Sequence, residues 1–179
     1  MSAETFIHRI DADNVIEFVN GVWLRFAAEN WDAEKAERVV GTSLWDYVCD
    51  SGVRHLYEVL LGHVRETGQP VRVPYRCDSP DVRRYMEMDV VPLPNDRVEF
   101  RCRTIREEPR DPVPVLDAEA PRGGEMLVMC SWCKRINVPP WMEAEDAIRE
   151  LELFDAPTMP PISHGICEEC RDAVLEAVR

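Results

Sequence analysis

The sequence predicts an α+β fold: a five-stranded antiparallel sheet with flanking helices, followed by a small C-terminal helical module. Three observations in the 179-residue chain carry this reading. Five stretches alternate apolar and polar residues with the period of two that a half-buried strand requires. Helical periodicity is inserted after the second of these stretches, an arrangement that suits an antiparallel sheet with its helices grouped together. Four of the seven cysteines form two C-x-x-C pairs confined to residues 130–170, so the end of the chain has a chemistry of its own.

Residues 6–10 and 15–19 read as the first two strands around the turn signal Asp11-Ala12-Asp13-Asn14. Gly21 to Asn30 places Trp23, Phe26 and Ala27 at helical spacing, and a short apolar segment runs from Leu44 to Val48. From Val53 to Thr67 a longer amphipathic helix puts Leu56, Val59, Leu60, His63 and Val64 on one face, and Gly68 is its natural stop. Three strands follow: Val71, Val73, Tyr75 and Cys77 alternate, then Met86, Met88 and Val90, then Val98, Phe100 and Cys102. Pro92, Pro94, Asn95 and Asp96 supply the turn between the last two.

Residues 109–126 are rich in proline and glycine with little periodicity, which marks a linker between units at 1–108 and 127–179. In the second unit, Trp141 to Phe154 reads as a helix with Ala144, Ala147, Ile148, Leu151 and Phe154 along one stripe. Ile166 to Val178 reads as a second helix, with Cys170, Val174, Leu175 and Val178 on a common face. A unit this small cannot rely on an apolar core alone and needs a staple.

Cys130-Ser131-Trp132-Cys133 and Cys167-Glu168-Glu169-Cys170 provide it. Four thiolates at about 2.3 Å make a closed tetrahedral zinc site, and each C-x-x-C presents two of them at once. Cys167 opens the last helix, where the partial positive charge of the helix end favours the thiolate. The spacing therefore predicts structural Zn²⁺ held by Cys130, Cys133, Cys167 and Cys170. The same spacing leaves open a thiol-based redox switch in which oxidation of the pairs releases zinc, and iron in a thiolate cage. His164, three residues before Cys167, ranks below the cysteines as a ligand or as a donor to a thiolate.

Composition bounds the partners. With 21 Lys and Arg against 34 Asp and Glu, the net charge of −13 disfavours nucleic acid and anionic lipid surfaces. No apolar run approaches the roughly 20 residues that a bilayer requires. The opening Met1-Ser2-Ala3-Glu4 lacks signal-peptide character, so a cytoplasmic location is expected. The odd cysteine count argues against a disulfide framework.

The N-terminal half resembles a PAS domain over about residues 4–107. Its markers are the strand pair ending in Phe18-Val19-Asn20, the helix from Trp23 to Asn30, Val40-Gly41-Thr42-Ser43-Leu44-Trp45, the longer helix closing at Thr67-Gly68, and three strands. The tail is similar to a C-x-W-C-K-R … S-H-G-I-C-x-x-C segment found behind some bacterial PAS and sensor modules, here Cys130 to Arg135 and Ser163 to Cys170. The resemblance implies a bacterial-type signalling protein: a sheet-backed cavity that holds an unidentified small ligand or contacts a partner, passing the change to a protein partner or through a homodimer. By position it implies Phe18, Trp23, Phe26, Trp45, Leu56, Leu60, Tyr75, Met86, Met88 and Phe100 as cavity candidates, although such stripes more often fill a core.

Flavin-adduct sensors of this kind place a cysteine where this chain has Thr42 to Tyr47, and Cys49 is displaced from it. Haem-binding members use a histidine of the long helix, but His55 and His63 fall out of register with it. Arg76, Arg83 and Arg84 around Cys77-Asp78 read as an anion or partner contact or, more simply, as a solvated loop paired with Asp78, Asp81 and Glu87; Glu143, Glu145 and Asp146 suit the first turn of a helix. The sequence contains no phosphate-binding loop, nucleophile elbow or H-E-x-x-H motif, so catalytic residues are none and an enzyme would need an unrecognised active site. Replacing Cys130 with Ser is expected to unfold the tail and spare the sensor half.

Overall fold

The structure is a computed structural model describing residues 4–30, 38–154 and 156–179, with backbone only for Glu29 and Asn30. The first sheet is built from β1 (Thr5–Ile10), β2 (Ile16–Val19), β3 (Val71–Arg76), β4 (Val82–Pro92) and β5 (Val98–Pro109) in the antiparallel order β2-β1-β5-β4-β3. Helices α1 (Gly21–Asn30) and α2 (Ser51–Thr67) lie between β2 and β3 in the chain. The β1–β2 turn forms because Asp11 Oδ1 accepts from the backbone N–H groups of Asp13 and Val15, both at 2.9 Å, while Asn14 takes a positive φ of 63°. Asp50 caps α2 by accepting from Val53 N at 2.9 Å, and Gly68 ends the helix in the left-handed region at φ 68°.

The register decides which side chains face inward. Met88, Cys102 and Phe6 stand in one row across β4, β5 and β1, and Val90, Phe100 and His8 in the next. Against this face pack Val53, Leu56, Leu60 and Val64 of α2, all buried. The opposite face is a lattice of ion pairs: Arg72 with Asp89 at 2.6 Å, Arg9 with Glu99 at 2.7 Å, and Arg103 with Glu87 and Asp89.

The C-terminal region contains more sheet than the sequence pattern shows. Strands β6 (Leu127–Cys130), β7 (Ile136–Asn137), β8 (Trp141–Met142) and β9 (Ile162–Gly165) form a second sheet in the order β8-β7-β6-β9, with β6 and β9 parallel. Helices α3 (Ala144–Glu150) and α4 (Glu168–Ala177) complete it. The helix expected from Trp141 is therefore shorter, because Trp141 and Met142 pair with Asn137 and Ile136. It stops before Leu151 and Phe154, which are exposed, and Glu152 follows at φ 54°. Ala144, Ala147 and Ile148 of the expected stripe are buried.

The proline-rich segment is packed against both regions. Val113 donates its N–H to Pro80 O at 3.0 Å, and Val113 and Val115 are buried with Met129, Ile136 and Ile148 in a second apolar cluster. The main core is continuous across the chain: Ile10, Leu60, Val90 and Phe100 belong to the same cluster as Cys130, Trp132, Cys167 and Val174.

Candidate metal centre and adjoining cavity

Two local structures bring the four cysteines together. The first is a tight turn after β6, in which Cys130 N donates to Arg135 O at 2.8 Å and Lys134 N donates to Cys130 O at 3.0 Å. Lys134 takes φ 63° to close it. The second is the start of α4, where Cys167 is the N-cap and Cys170 lies in the first turn. The parallel β6–β9 pairing sets Cys130 opposite Gly165, which delivers the helix start to the turn. Only a glycine fits there comfortably, since an added Cβ would lie 3.0 Å from Val128 Cγ1.

The Sγ atoms of Cys130, Cys133, Cys167 and Cys170 all lie within 4.8 Å of one another, the only such metal-capable cluster among the described residues. A tetrahedron with metal–sulfur bonds of about 2.3 Å has edges of about 3.8 Å. Cys133 Sγ and Cys167 Sγ are 3.7 Å apart, and a disulfide would bring them to about 2.05 Å. All seven cysteines are free thiols. Cys167 N donates to Cys130 Sγ at 3.5 Å, the kind of contact that stabilises a thiolate. Hydrogen bonds from Cys133 and Cys170 hold the Cys130 thiol far below its usual range, and Cys130 in turn pushes those of Cys133 and Cys170 up. Four buried or half-buried sulfurs this close could be held as thiolates only by a cation that offsets their charge. The donor set fits a metal ion.

Between the cysteines of the first pair, Trp132 reaches into the sensor half. It is 5% exposed, its ring centroid lies 5.5 Å from that of Tyr57 on α2, and Trp132 O accepts from Arg76 N of β3 at 2.7 Å. Beside it, the arginines and acids that the sequence left on separate segments meet across the junction. Arg76 pairs with Asp78 and, at 2.7 Å, with Glu143; Arg110 pairs with Asp78 at 3.3 Å and Glu145 at 2.8 Å; Arg83 pairs with Glu145 at 2.9 Å. Burial works against the Arg76 cation, but its bonds to Asp78 and Glu143 raise its pKa further above the ordinary guanidinium value. Arg84 instead pairs with Glu107 at 3.0 Å. Of the neighbouring acids expected as partners, only Asp78 is used, by Arg76; Asp81 and Glu87 are not. The long-range pairs of Arg76 and Arg83, with partners more than sixty residues away, replace the expected solvated loop.

A cavity of about 990 Å³ lies between the inner face of the first sheet, α1, the start of α2 and the turn that bears Trp132. Of the expected cavity residues, Trp23, Phe26, Tyr75, Met86 and Met88 line it. Leu56, Leu60 and Phe100 are buried core instead, Phe18 is 39% exposed beneath the Arg9 guanidinium, and Trp45 packs under Arg54. Neither His55 nor His63 lines the cavity. The sequence reading missed Phe6 and His8, although their i, i+2 spacing with Ile10 marks one face of β1. It also missed the wall supplied by the C-terminal region: Ser131, Trp132, Lys134, Ser163 and His164. His164 thus faces the cavity from β9 and is not among the four clustered ligands.

A five-stranded antiparallel sheet that closes a cavity with two helices is the architecture of a sensor-type α+β domain. The family model for the PAS fold matches residues 2–110, and the chain belongs to that family. The chain is similar to a sensory box sensor histidine kinase from Vibrio cholerae (13% identity, 57% of this chain and 83% of that one, TM-score 0.42). It is also similar to a domain of an HTR-like protein from Haloarcula marismortui (19% identity, 57% of this chain and 98% of that one, TM-score 0.39). No curated protein matches the chain. Among the described residues no helix is long and apolar enough to cross a membrane.

Proposed function

We propose that this chain is a cytoplasmic, bacterial-type signal-transduction protein in which a PAS domain senses a small ligand and a structural Zn²⁺ site fixes the C-terminal module onto it. Cys130, Cys133, Cys167 and Cys170 hold the zinc, which supplies the cross-link that a small module of short strands and helices needs. The observation that carries the reading is Trp132: the residue between two metal ligands is part of the sensor core and of the cavity wall. A change in the cavity therefore bears directly on the module, and the module hands it to a protein partner or a second copy of the chain by contact rather than by catalysis.

The test is elemental analysis of protein purified without added metal, with an absorption spectrum. About one zinc per chain and no visible band is the expected result. Absence of zinc, or a visible band from iron or haem, overturns the structural-zinc reading. The close thiols also favour a second reading, a redox switch that releases zinc on oxidation. Zinc retained with an unchanged circular dichroism spectrum under mild peroxide removes that alternative.

A further inference from the structure

The cavity carries a polarity that its family membership does not supply. Its body is aromatic and apolar, lined by Phe6, Trp23, Phe26, Tyr57 and Tyr75, a composition that suits a flat ring. Its polar end combines Asp50 and Asp78 of the matched segment 2–110 with Ser131, Trp132, Lys134, Ser163 and His164 from beyond it. The acids there are committed: Asp50 caps α2, and Asp78 is 1% exposed and bound by Arg76 and Arg110. The donors are not. Lys134 Nζ spends one N–H on Ser131 O at 2.8 Å and keeps two. Trp132 Nε1–H is buried with no hydrogen-bond partner among the described residues. A buried unpaired donor is costly, and a ligand acceptor can recover that cost. His164 stands beside them on β9.

We propose that the cavity binds an aromatic carboxylate, its ring among the aromatic side chains and its carboxylate on Lys134, with Trp132 and His164 alongside. Because Lys134 and Trp132 belong to the turn that carries Cys130 and Cys133, ligand and metal stabilise the same local structure. Each must strengthen the other's binding, as linkage requires. This part of the inference rests on the zinc reading above; the ligand class does not.

The experiment uses the full chain with its metal content measured first. Indole-3-carboxylate and uncharged indole are titrated by calorimetry, and zinc transfer to a chromogenic chelator is timed with and without the carboxylate. The carboxylate is expected to bind about tenfold or more tightly than indole, the increment of one charged hydrogen bond. Lys134→Met should erase that preference without changing the zinc content. Trp132→Phe, which keeps a ring but removes the N–H, should weaken the carboxylate severalfold. Saturating carboxylate should slow zinc transfer. Equal binding of the two probes, or no heat from the carboxylate up to about 1 mM, overturns the ligand class. Zinc transfer unaffected by bound carboxylate overturns the linkage. A metal-free protein that still prefers the carboxylate leaves the ligand class standing and sinks the zinc reading instead.

Discussion

The two halves of this molecule solve the same problem with different means. The sensor half spends about a hundred residues on one sheet whose strands reach 11 and 12 residues, over a core closed by the 17-residue helix α2. The C-terminal half has strands of two to four residues and helices of seven and ten. Strands that short bury little apolar surface and make few ladder hydrogen bonds, so they do not hold themselves together. They pack instead on a neighbour's surface, around four cysteines that could hold a metal ion. The difference teaches that the second half is not an appendage: it is folded against the first, and its Trp132 completes the first half's core.

The largest effect on this comparison comes from removing a thiol. Cys130→Ser takes one ligand from the cluster, and metal binding to structural sites of this kind is worth on the order of 10 kcal/mol of folding free energy. Loss of metal and of the β6–β9 pairing is expected, seen as vanished protection of residues 127–177 in hydrogen exchange. The continuous core changes the expectation that the sensor half is spared. Withdrawal of Trp132 uncovers Tyr57, so the melting temperature of the sensor half should fall as well. Retained metal, or an unchanged sensor half, would show the two regions to be independent after all.

A smaller but sharper test lies in the ion cluster at the junction. Asp78→Ala leaves Arg76 and Arg110, both 9% exposed, without the acid that binds them together. Breaking a buried pair in this way costs about 3–5 kcal/mol. Chemical denaturation should show that loss with metal content unchanged. Arg84→Ala, which removes a pair with the half-exposed Glu107 and a long 3.5 Å hydrogen bond to Cys77 O, should cost under about 1 kcal/mol. Equal effects of the two variants would mean that the junction is no drier than the surface.

How much of this was legible in the sequence follows the same division. The five strands, α2 with its Gly68 stop, and the four cysteines are written in periodicity and spacing, which local physics reads directly. The tail's sheet was not, because strands of two residues such as Ile136–Asn137 have no period to detect. Nor was the pairing of Arg76 with Glu143, separated by 67 residues, since charge complementarity has no direction along a chain. Three of the ten cavity candidates, Leu56, Leu60 and Phe100, fell in the core for a related reason: alternation shows that a side chain points inward, not whether it meets another side chain or a void. Leu56 and Tyr57 are adjacent on α2, yet Leu56 is core and Tyr57 is wall.

A smaller effect than the loss of Asp78 is a pH dependence carried by the sensor half. His8 stacks on Phe100 with ring centroids 4.4 Å apart, and burial pushes its pKa from 6.5 down to about 4. The folded state therefore keeps the imidazole neutral where the unfolded chain protonates it. Between about pH 6.5 and 4 the unfolded state binds more protons, so stability is full above that window and falls as the pH drops through it. His8→Phe preserves the stack and removes the titration. Its stability should decline less than the wild type's across the window, by about 1–3 kcal/mol. The metal-bearing half complicates any single acid curve, because thiolate ligands also release metal on protonation. The difference between the two proteins cancels that contribution, since both keep the same four thiols. Superimposable acid curves would place the His8 charge in solvent and remove it from the wall of the cavity.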